Sequence, residues 1–190
     1  MSQPAEVLLT TPKFRVVREV ITSERGRTKT REVIRHSGAC VIVPILDDGR
    51  VCLIRNWRIA AGQTLIELPA GTLEPPEAPE VTAERELIEE TGYRAKRIQF
   101  LHAFFLSPGI LDEKMHLYLA TGLTEGETAR EEGEEIENWL VPFEEAVAMI
   151  FRGEIQDAKT IVGLLWADRL RRGKQTATNG SDLVSRTGSS

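Results

Sequence analysis

The chain has 190 residues, of which 41% are hydrophobic and 28% are charged, and these proportions are typical of a globular domain that can bury a core. Its 24 Lys and Arg against 29 Asp and Glu give a formal net charge of −5, which argues against a nucleic-acid-binding protein. No run of about 18 apolar residues occurs, and the N-terminus lacks the pattern of a secretory signal, so we expect no membrane span. We expect a cytoplasmic protein in which Cys40 and Cys52 are reduced and buried.

The first part of the chain predicts strands. Residues 14–22 and 31–36 are rich in β-branched residues and are separated by a charged turn, so we expect them to form a small antiparallel sheet. Residues 39–46 are a nearly continuous apolar run, which is typical of a strand buried on both faces. The Asp-Asp-Gly sequence at 47–49 then predicts a hairpin turn into a strand at 51–56.

A helix is predicted between two clear boundaries. A short strand at 65–68 comes first, and the prolines of segment 74–80 exclude a helix before Pro79, which itself suits a first helical turn. Gly92 suits the left-handed residue that ends a helix, so we expect the helix to run from Pro79 to Thr91. The remaining elements predicted are strands at 97–105, 114–121 and 137–141 and helices at 143–152 and 158–172.

This order of elements indicates an α/β protein with a mixed sheet between helical layers. We divide the chain into N-terminal strands at 1–37, a main domain at 38–172 and a tail at 173–190. The tail is rich in Ser, Thr, Gly and Asn, so we expect it to be disordered. Asp157 is expected to cap the last helix.

The predicted helix at 79–91 carries three carboxylates on one side. Because successive helical residues are about 100° apart, Glu86, Glu89 and Glu90 fall within an arc of about 100°. Carboxylates so close repel one another unless a cation lies among them, and their hard oxygens suit Mg²⁺ or Mn²⁺. Arg85 can pair with Glu89 one turn later. An acidic helix face is more often simply solvated, so the helix alone leaves both interpretations open.

The residues around this helix have a fixed spacing that separates the two interpretations. Gly71 is followed after five residues by Glu77, and after seven more by the run Arg-Glu-Leu-Ile-Glu-Glu-Thr-Gly-Tyr at 85–93. This pattern resembles the Nudix box, with Leu87 at its first apolar position and Tyr93 at its last, where an aliphatic residue is more usual. The resemblance implies the Nudix fold, an α/β/α sandwich, and hydrolysis of a diphosphate linked to another moiety.

The resemblance also implies roles for individual residues. Glu86 and Glu90 would be the principal metal ligands, with the backbone carbonyl of Ala70 as a further ligand. Glu89 would be a ligand or would position the attacking water, and Arg85 would orient a glutamate by a salt bridge. The metal implied is Mg²⁺, with Mn²⁺ as the alternative.

Four segments outside the box resemble one branch of the Nudix family. They are 31–36, 67–71, the Ser-Pro-Gly sequence at 107–109, and 155–160. Together they are similar to the ADP-ribose pyrophosphatases and other nucleoside-diphosphate-sugar hydrolases over most of the chain. This branch implies cleavage of ADP-ribose to AMP and ribose 5-phosphate by a homodimer whose N-terminal sheet contributes to the partner's substrate site. Two alternatives stay open: hydrolysis of GDP-mannose or ADP-glucose, and a module that binds ADP-ribose without cleaving it.

The resemblance further implies a set of substrate contacts. We predict five substrate-binding residues: Arg55, Arg58, Glu67, Pro108 and Glu113. The two arginines match a basic segment that meets the substrate's phosphates, although the family's usual glutamine and tyrosine are replaced by Asn56 and Trp57. Arginines exposed at a strand end are the plainer interpretation.

An acidic loop at 131–135 matches the place where this branch carries a catalytic glutamate. We predict Glu134 as the general base and Glu132 as the second choice. A solvated acidic loop without a catalytic role is the alternative.

Overall fold

The computed structural model describes residues 5–129 and 136–184, with side chains described as far as residue 173. In chain order, the described residues form ten strands and three helices: β1 (Glu6–Thr10), β2 (Phe14–Thr22), β3 (Thr28–His36), β4 (Ala39–Pro44), β5 (Arg50–Arg58), β6 (Gln63–Glu67), β7 (Ala70–Thr72), α1 (Pro79–Thr91), β8 (Arg94–Phe105), β9 (Lys114–Thr124), β10 (Ile136–Pro142), α2 (Phe143–Phe151) and α3 (Ala158–Val184).

The first three strands form an antiparallel sheet in the order β1-β2-β3, which confirms the small N-terminal sheet. β2 and β3 pair along their whole length, from Phe14 opposite His36 to Thr22 opposite Thr28. β1 was not predicted, because its apolar run at 7–9 is too short to show a period of two. Its side chains are exposed throughout.

The main domain is built around β4. This strand runs parallel to β9 and antiparallel to β7, and the four-stranded sheet has the order β7-β4-β9-β8. A second sheet, entirely antiparallel, has the order β10-β5-β6. All six residues of β4 are buried, as the apolar run predicts.

Alternate side chains of β4 enter two separate cores, because successive residues of a strand point to opposite faces. Val41 packs into the core that contains Leu164 of α3 and the buried residues of α2. Ile42 packs into the core that contains Leu87 of α1. Helices therefore cover the sheet from both sides, and this arrangement confirms the α/β/α fold class.

α1 has the predicted bounds. Pro79 occupies its first turn, and Gly92 ends it with a φ of 77° and an N–H that donates to the Ile88 carbonyl. The left-handed conformation explains why a glycine follows Thr91.

α3 is longer than predicted. Its start is as expected, since the Thr160 N–H donates to Asp157 Oδ2 at 3.0 Å. The sequence predicts an end near residue 172, but Gly173 does not take the left-handed conformation and the helix continues to Val184. The disordered tail at 173–190 stays a prediction: the helix as described includes residues 173–184, and residues 185–190 lie outside the described residues.

Cys40 and Cys52 are both buried, as predicted. Burial raises the pKa of Cys40 to about 12, with Glu86 and Glu77 adding to the effect, so this thiol stays protonated at neutral pH. Among the described helices, none is long and apolar enough to cross a membrane.

Candidate active site

A cavity of about 490 Å³ lies where α1, the end of β5, the β6–β7 connection and the first turn of α3 meet. Its charged lining residues are Lys13, Arg58, Glu67, Glu74, Arg85, Glu86, Glu89, Glu90, Glu113, Asp157 and Lys159. Carboxylates outnumber cations in this lining. The cavity is therefore acidic, and an anionic substrate would need further positive charge to bind in it.

Gly71 makes room for the first of the helix carboxylates. A Cβ atom built at this position would lie 1.8 Å from Cδ of Glu86 and 1.9 Å from its Oε1. Gly71 lies in β7 and has no positive φ, so the need for glycine comes from this close approach and not from a turn.

Arg85 holds three carboxylates together. Its Nη1 lies 2.8 Å from both Glu86 Oε1 and Glu89 Oε2, and its Nη2 lies 3.2 Å from Glu77 Oε2. The predicted pair with Glu89 is thus present, and Glu86 and Glu77 share the same guanidinium. Hydrogen bonds from Arg85 and Thr82 hold the pKa of Glu77 below its ordinary value.

Glu90 fixes the backbone opposite the helix. Its Oε2 accepts a hydrogen bond from the Ala70 N–H at 2.9 Å. Ala70 also pairs with Val41 in the sheet, so the strand and the helix carboxylate hold each other in place. Glu86 and Glu90 are 9% and 6% exposed, and charged side chains are rarely buried to this extent unless they are paired.

The donor set fits a hard divalent cation by its chemistry. It consists of buried and half-buried carboxylates next to a backbone segment, and such oxygens suit Mg²⁺ or Mn²⁺. Within the described part of the chain, no three His, Cys, Asp or Glu side chains are grouped as ligands of one ion. Instead, one carboxylate oxygen of Glu86 and one of Glu89 contact the guanidinium of Arg85.

A second charged network forms the opposite wall. Glu67 is 1% exposed, and its carboxylate accepts two hydrogen bonds from Arg58, at 2.8 and 2.7 Å, and one from Lys159 at 2.5 Å. Burial alone would raise the pKa of Glu67, but the two cations outweigh burial and lower it. Glu67 therefore stays ionised and paired.

The predicted substrate residues do not all reach the cavity. Arg58, Glu67 and Glu113 line it, whereas neither Arg55 nor Pro108 belongs to its described lining. Because β5 alternates its faces, Arg55 points away from Arg58 and lies 4.4 Å over the ring of Trp139. Pro108 is exposed in the connection between β8 and β9.

Four charged lining residues were not among the predicted site residues, namely Lys13, Glu74, Asp157 and Lys159. Asp157 and Lys159 belong to a segment that the family resemblance includes, but Asp157 was predicted only as a helix cap and Lys159 was assigned no role. Lys13 comes from the turn between β1 and β2, and no motif in the sequence marks it. Its ammonium has no carboxylate partner among the described residues, unlike Arg58, Arg85 and Lys159.

The two predicted base candidates, Glu132 and Glu134, lie outside the described residues. The residues on either side of their segment do lie near the cavity. The Ala129 N–H donates to the Glu89 carbonyl at 3.2 Å, and Ile136 pairs with Asn56 of β5, which lines the cavity.

The carboxylate helix, its glycine and its position on an α/β/α sandwich define a hydrolase that acts on phosphorus anhydrides. The family model described as NUDIX domain matches residues 35–163, and the chain belongs to this family. The family resemblance of the sequence is thereby confirmed. Nudix hydrolases generally use divalent metal ions.

The chain is similar to several curated proteins. ADP-ribose pyrophosphatase of Bacillus subtilis (strain 168) is 40% identical over 144 residues, which cover 75% of this chain and 78% of the relative. ADP-ribose pyrophosphatase of Mycobacterium tuberculosis is 39% identical over 165 residues, 85% of this chain and 79% of the relative. GDP-mannose pyrophosphatase of Cronobacter sakazakii is 37% identical over 152 residues, 70% of this chain and 78% of the relative.

A solved structure has the same fold. The crystal structure of an ADP compounds hydrolase superimposes with a TM-score of 0.80 and covers 92% of this chain and 95% of its own. The two sequences are 21% identical, so this likeness supports the fold and nothing finer.

Proposed function

We propose that this protein hydrolyses the diphosphate bond of ADP-ribose, yielding AMP and ribose 5-phosphate, with Mg²⁺ as its metal. The observation that carries the proposal is the carboxylate cluster of α1, held by Arg85 and packed against Gly71. The names of the Bacillus and Mycobacterium relatives support ADP-ribose as the first substrate to test.

Glu86, Glu90 and the carbonyl of Ala70 would hold the metal, and Glu89 would be a further ligand or would position the water. When bound, a divalent ion neutralises the charge of the diphosphate and lowers the pKa of a water molecule that it binds. Arg85 keeps Glu86 and Glu89 in fixed orientations, because its planar guanidinium donates to both.

A base must remove a proton from the attacking water. We propose Glu134 for this role, with Glu132 as the second candidate. The support comes from the residues on either side of the acidic loop. Ala129 before the loop is hydrogen-bonded to Glu89 of α1, and Ile136 after it pairs with the cavity residue Asn56. Glu134→Gln and Glu132→Gln are expected to lower kcat. The assignment fails if both variants keep wild-type turnover.

Substrate contacts are proposed for residues that reach the cavity. Arg58 and Glu113 face it, and Glu67 supports Arg58 through a bidentate pair. Arg55 and Pro108 do not reach it from the same chain, so we propose no direct contact for them within one protomer. We also propose that the N-terminal strands at 1–37 take part in a homodimer.

Rates on several nucleotide sugars test the substrate assignment. With Mg²⁺ present, kcat/KM is to be measured for ADP-ribose, GDP-mannose and ADP-glucose, with Glu90→Gln as the inactive control. We expect ADP-ribose to give the highest value. A higher value for GDP-mannose would favour the second candidate function, which the Cronobacter relative suggests. Measurable ADP-ribose binding without release of AMP would indicate a binding module.

A further inference from the structure

Lys159 is a buried cation at the start of α3 that the proposed chemistry does not use. The residue is 7% exposed, and its Nζ lies 2.5 Å from Glu67 Oε2 and 3.0 Å from Asp157 Oδ2. A buried ammonium is costly unless carboxylates compensate it, and here two of them do so. Lys159 thereby ties the first turn of α3 to the last residue of β6.

The next residue along α3 holds the backbone that follows β6. The Thr160 hydroxyl accepts a hydrogen bond from the Leu68 N–H at 2.8 Å and donates one to Asp157 Oδ2 at 2.6 Å. Gly163 allows the helix to lie close to this backbone, because a Cβ atom there would lie 2.6 Å from Leu68 Cδ1. We refer to Asp157, Lys159 and Thr160 as the α3 clamp.

The backbone that the α3 clamp holds leads directly to the candidate metal site. Pro69 follows Leu68, and its carbonyl accepts the Ile42 N–H at 3.0 Å. Ala70 comes next, and its N–H donates to Glu90 Oε2. Only Pro69 and Ala70 therefore separate Leu68, which Thr160 binds, from Gly71. The Glu86 carboxylate packs against Gly71.

We propose that Lys159 is a positioning residue for the metal site, acting with Thr160 through the 67–70 backbone to hold the Ala70 peptide and the Glu90 carboxylate in place. The inference rests on the proposed function, because it assigns the metal to Glu86, Glu90 and Ala70. Partners that orient metal ligands without touching the metal commonly change metal affinity or activity by about 10- to 100-fold when they are removed.

The test uses the full chain and measures Mn²⁺ binding by electron paramagnetic resonance, independently of catalysis. Lys159→Met removes the charge and keeps the length of the side chain, and Thr160→Val removes the hydroxyl. We expect both variants to bind Mn²⁺ about 10-fold more weakly and to lose kcat about 10- to 100-fold, with a smaller change in KM for ADP-ribose. Thr160→Ser is expected to restore both quantities. Lys96→Met, an exposed lysine on β8, is the matched control.

Each outcome decides between a positioning role and a structural one. Wild-type Mn²⁺ affinity in Lys159→Met and Thr160→Val, even with lower melting temperatures, would overturn the inference. If Lys159→Met does not fold, the comparison of Thr160→Val with Thr160→Ser gives the same decision. In a further outcome, the wild type binds Mn²⁺ more tightly than Lys159→Met and Thr160→Val and yet cleaves no diphosphate. That result would disprove the proposed function and leave the inference standing. A wild-type protein that binds no Mn²⁺ would overturn the inference.

Discussion

At the scale of single residues, the contact between Gly71 and Glu86 sets the geometry of the site. We expect Gly71→Ala to force the Glu86 carboxyl group away, because the added Cβ would overlap its Cδ and Oε1. Such overpacking costs about 1–3 kcal/mol of stability, and displacement of a ligand group costs about 10- to 100-fold in activity. Urea unfolding and kcat/KM for ADP-ribose measure the two effects.

Gly173→Ala is the control for this substitution. Gly173 lies in α3, and a Cβ atom there would meet nothing within 4 Å. Alanine favours helix over glycine by about 1 kcal/mol, so this variant is expected to be as stable as the wild type or more so, with unchanged activity. Full activity of Gly71→Ala would show that Glu86 does not need its observed position.

The same contact shows what residue spacing can and cannot reveal. The spacing of Gly71, Glu77 and the 85–93 segment was sufficient to predict the carboxylate helix and the Arg85–Glu89 pair. The spacing did not show why position 71 is a glycine, because the reason is its close approach to Glu86. A sequence shows a glycine at a strand end in the same way whether the glycine serves a turn or a close approach, and only the three-dimensional structure distinguishes the two.

At the scale of elements, Lys13 brings the turn between β1 and β2 to the cavity. Because its ammonium has no carboxylate partner among the described residues, we expect it to attract the substrate's phosphates. Lys13→Met is expected to raise KM for ADP-ribose about 3- to 10-fold with little change in kcat, as for a contact made equally in the ground and transition states. Lys29→Met, an exposed lysine on β3, is the control. Equal KM values for the two variants would contradict this role.

The pairing of Glu67 with Arg58 and Lys159 gives β6 and α3 a link that depends on pH. Burial opposes the ionised form, but both cations outweigh burial and hold the pKa of Glu67 below its ordinary value of 4.5. A carboxylate with a lowered pKa stabilises the folded state above its unfolded-state pKa, and this contribution is lost as the pH falls through the folded-state pKa. Its contribution is therefore complete at neutral pH.

We expect Lys159→Met to shift this pH dependence. With one of its two cations removed and its burial unchanged, the folded-state pKa of Glu67 rises towards its unfolded-state value, so the part of the acid-dependent loss of stability that comes from Glu67 becomes smaller than in the wild type. The free energy of unfolding in urea, measured from about pH 3 to pH 8, tests this expectation. Parallel curves for the variant and the wild type would contradict it.

The predictable elements are those with strong local patterns. β4 was evident from its apolar run, and α1 from Pro79 and Gly92. β7 was missed, because three residues show no period and its partner strand precedes it by about 30 residues. The sequence was sufficient to predict that Arg55 and Arg58 do not both face the cavity, since residues three apart on a strand point to opposite faces. The pairing of Glu67 with Lys159 joins residues 92 positions apart, and no local pattern indicates it.

At the scale of the whole molecule, the N-terminal sheet exposes apolar side chains that the described residues of the chain do not cover. Val7, Leu9 and Ile21 are 53%, 52% and 54% exposed. Exposed apolar residues grouped on one small sheet favour an interface, in agreement with the homodimer that the family resemblance implies. We expect a dimer at micromolar concentration in sedimentation equilibrium and a monomer for Leu9→Glu. A monomeric wild-type protein would remove this expectation.

The central claim is that the carboxylates of α1 support hydrolysis of a diphosphate. ³¹P nuclear magnetic resonance of ADP-ribose, incubated with Mg²⁺ and either the wild type or Glu86→Gln, tests it most directly. We predict that the wild type replaces the diphosphate resonances with two monophosphate resonances, those of AMP and ribose 5-phosphate, and that Glu86→Gln is slower by at least about 100-fold. Diphosphate resonances that stay unchanged with the wild-type protein, or that disappear equally fast with Glu86→Gln, would contradict the account.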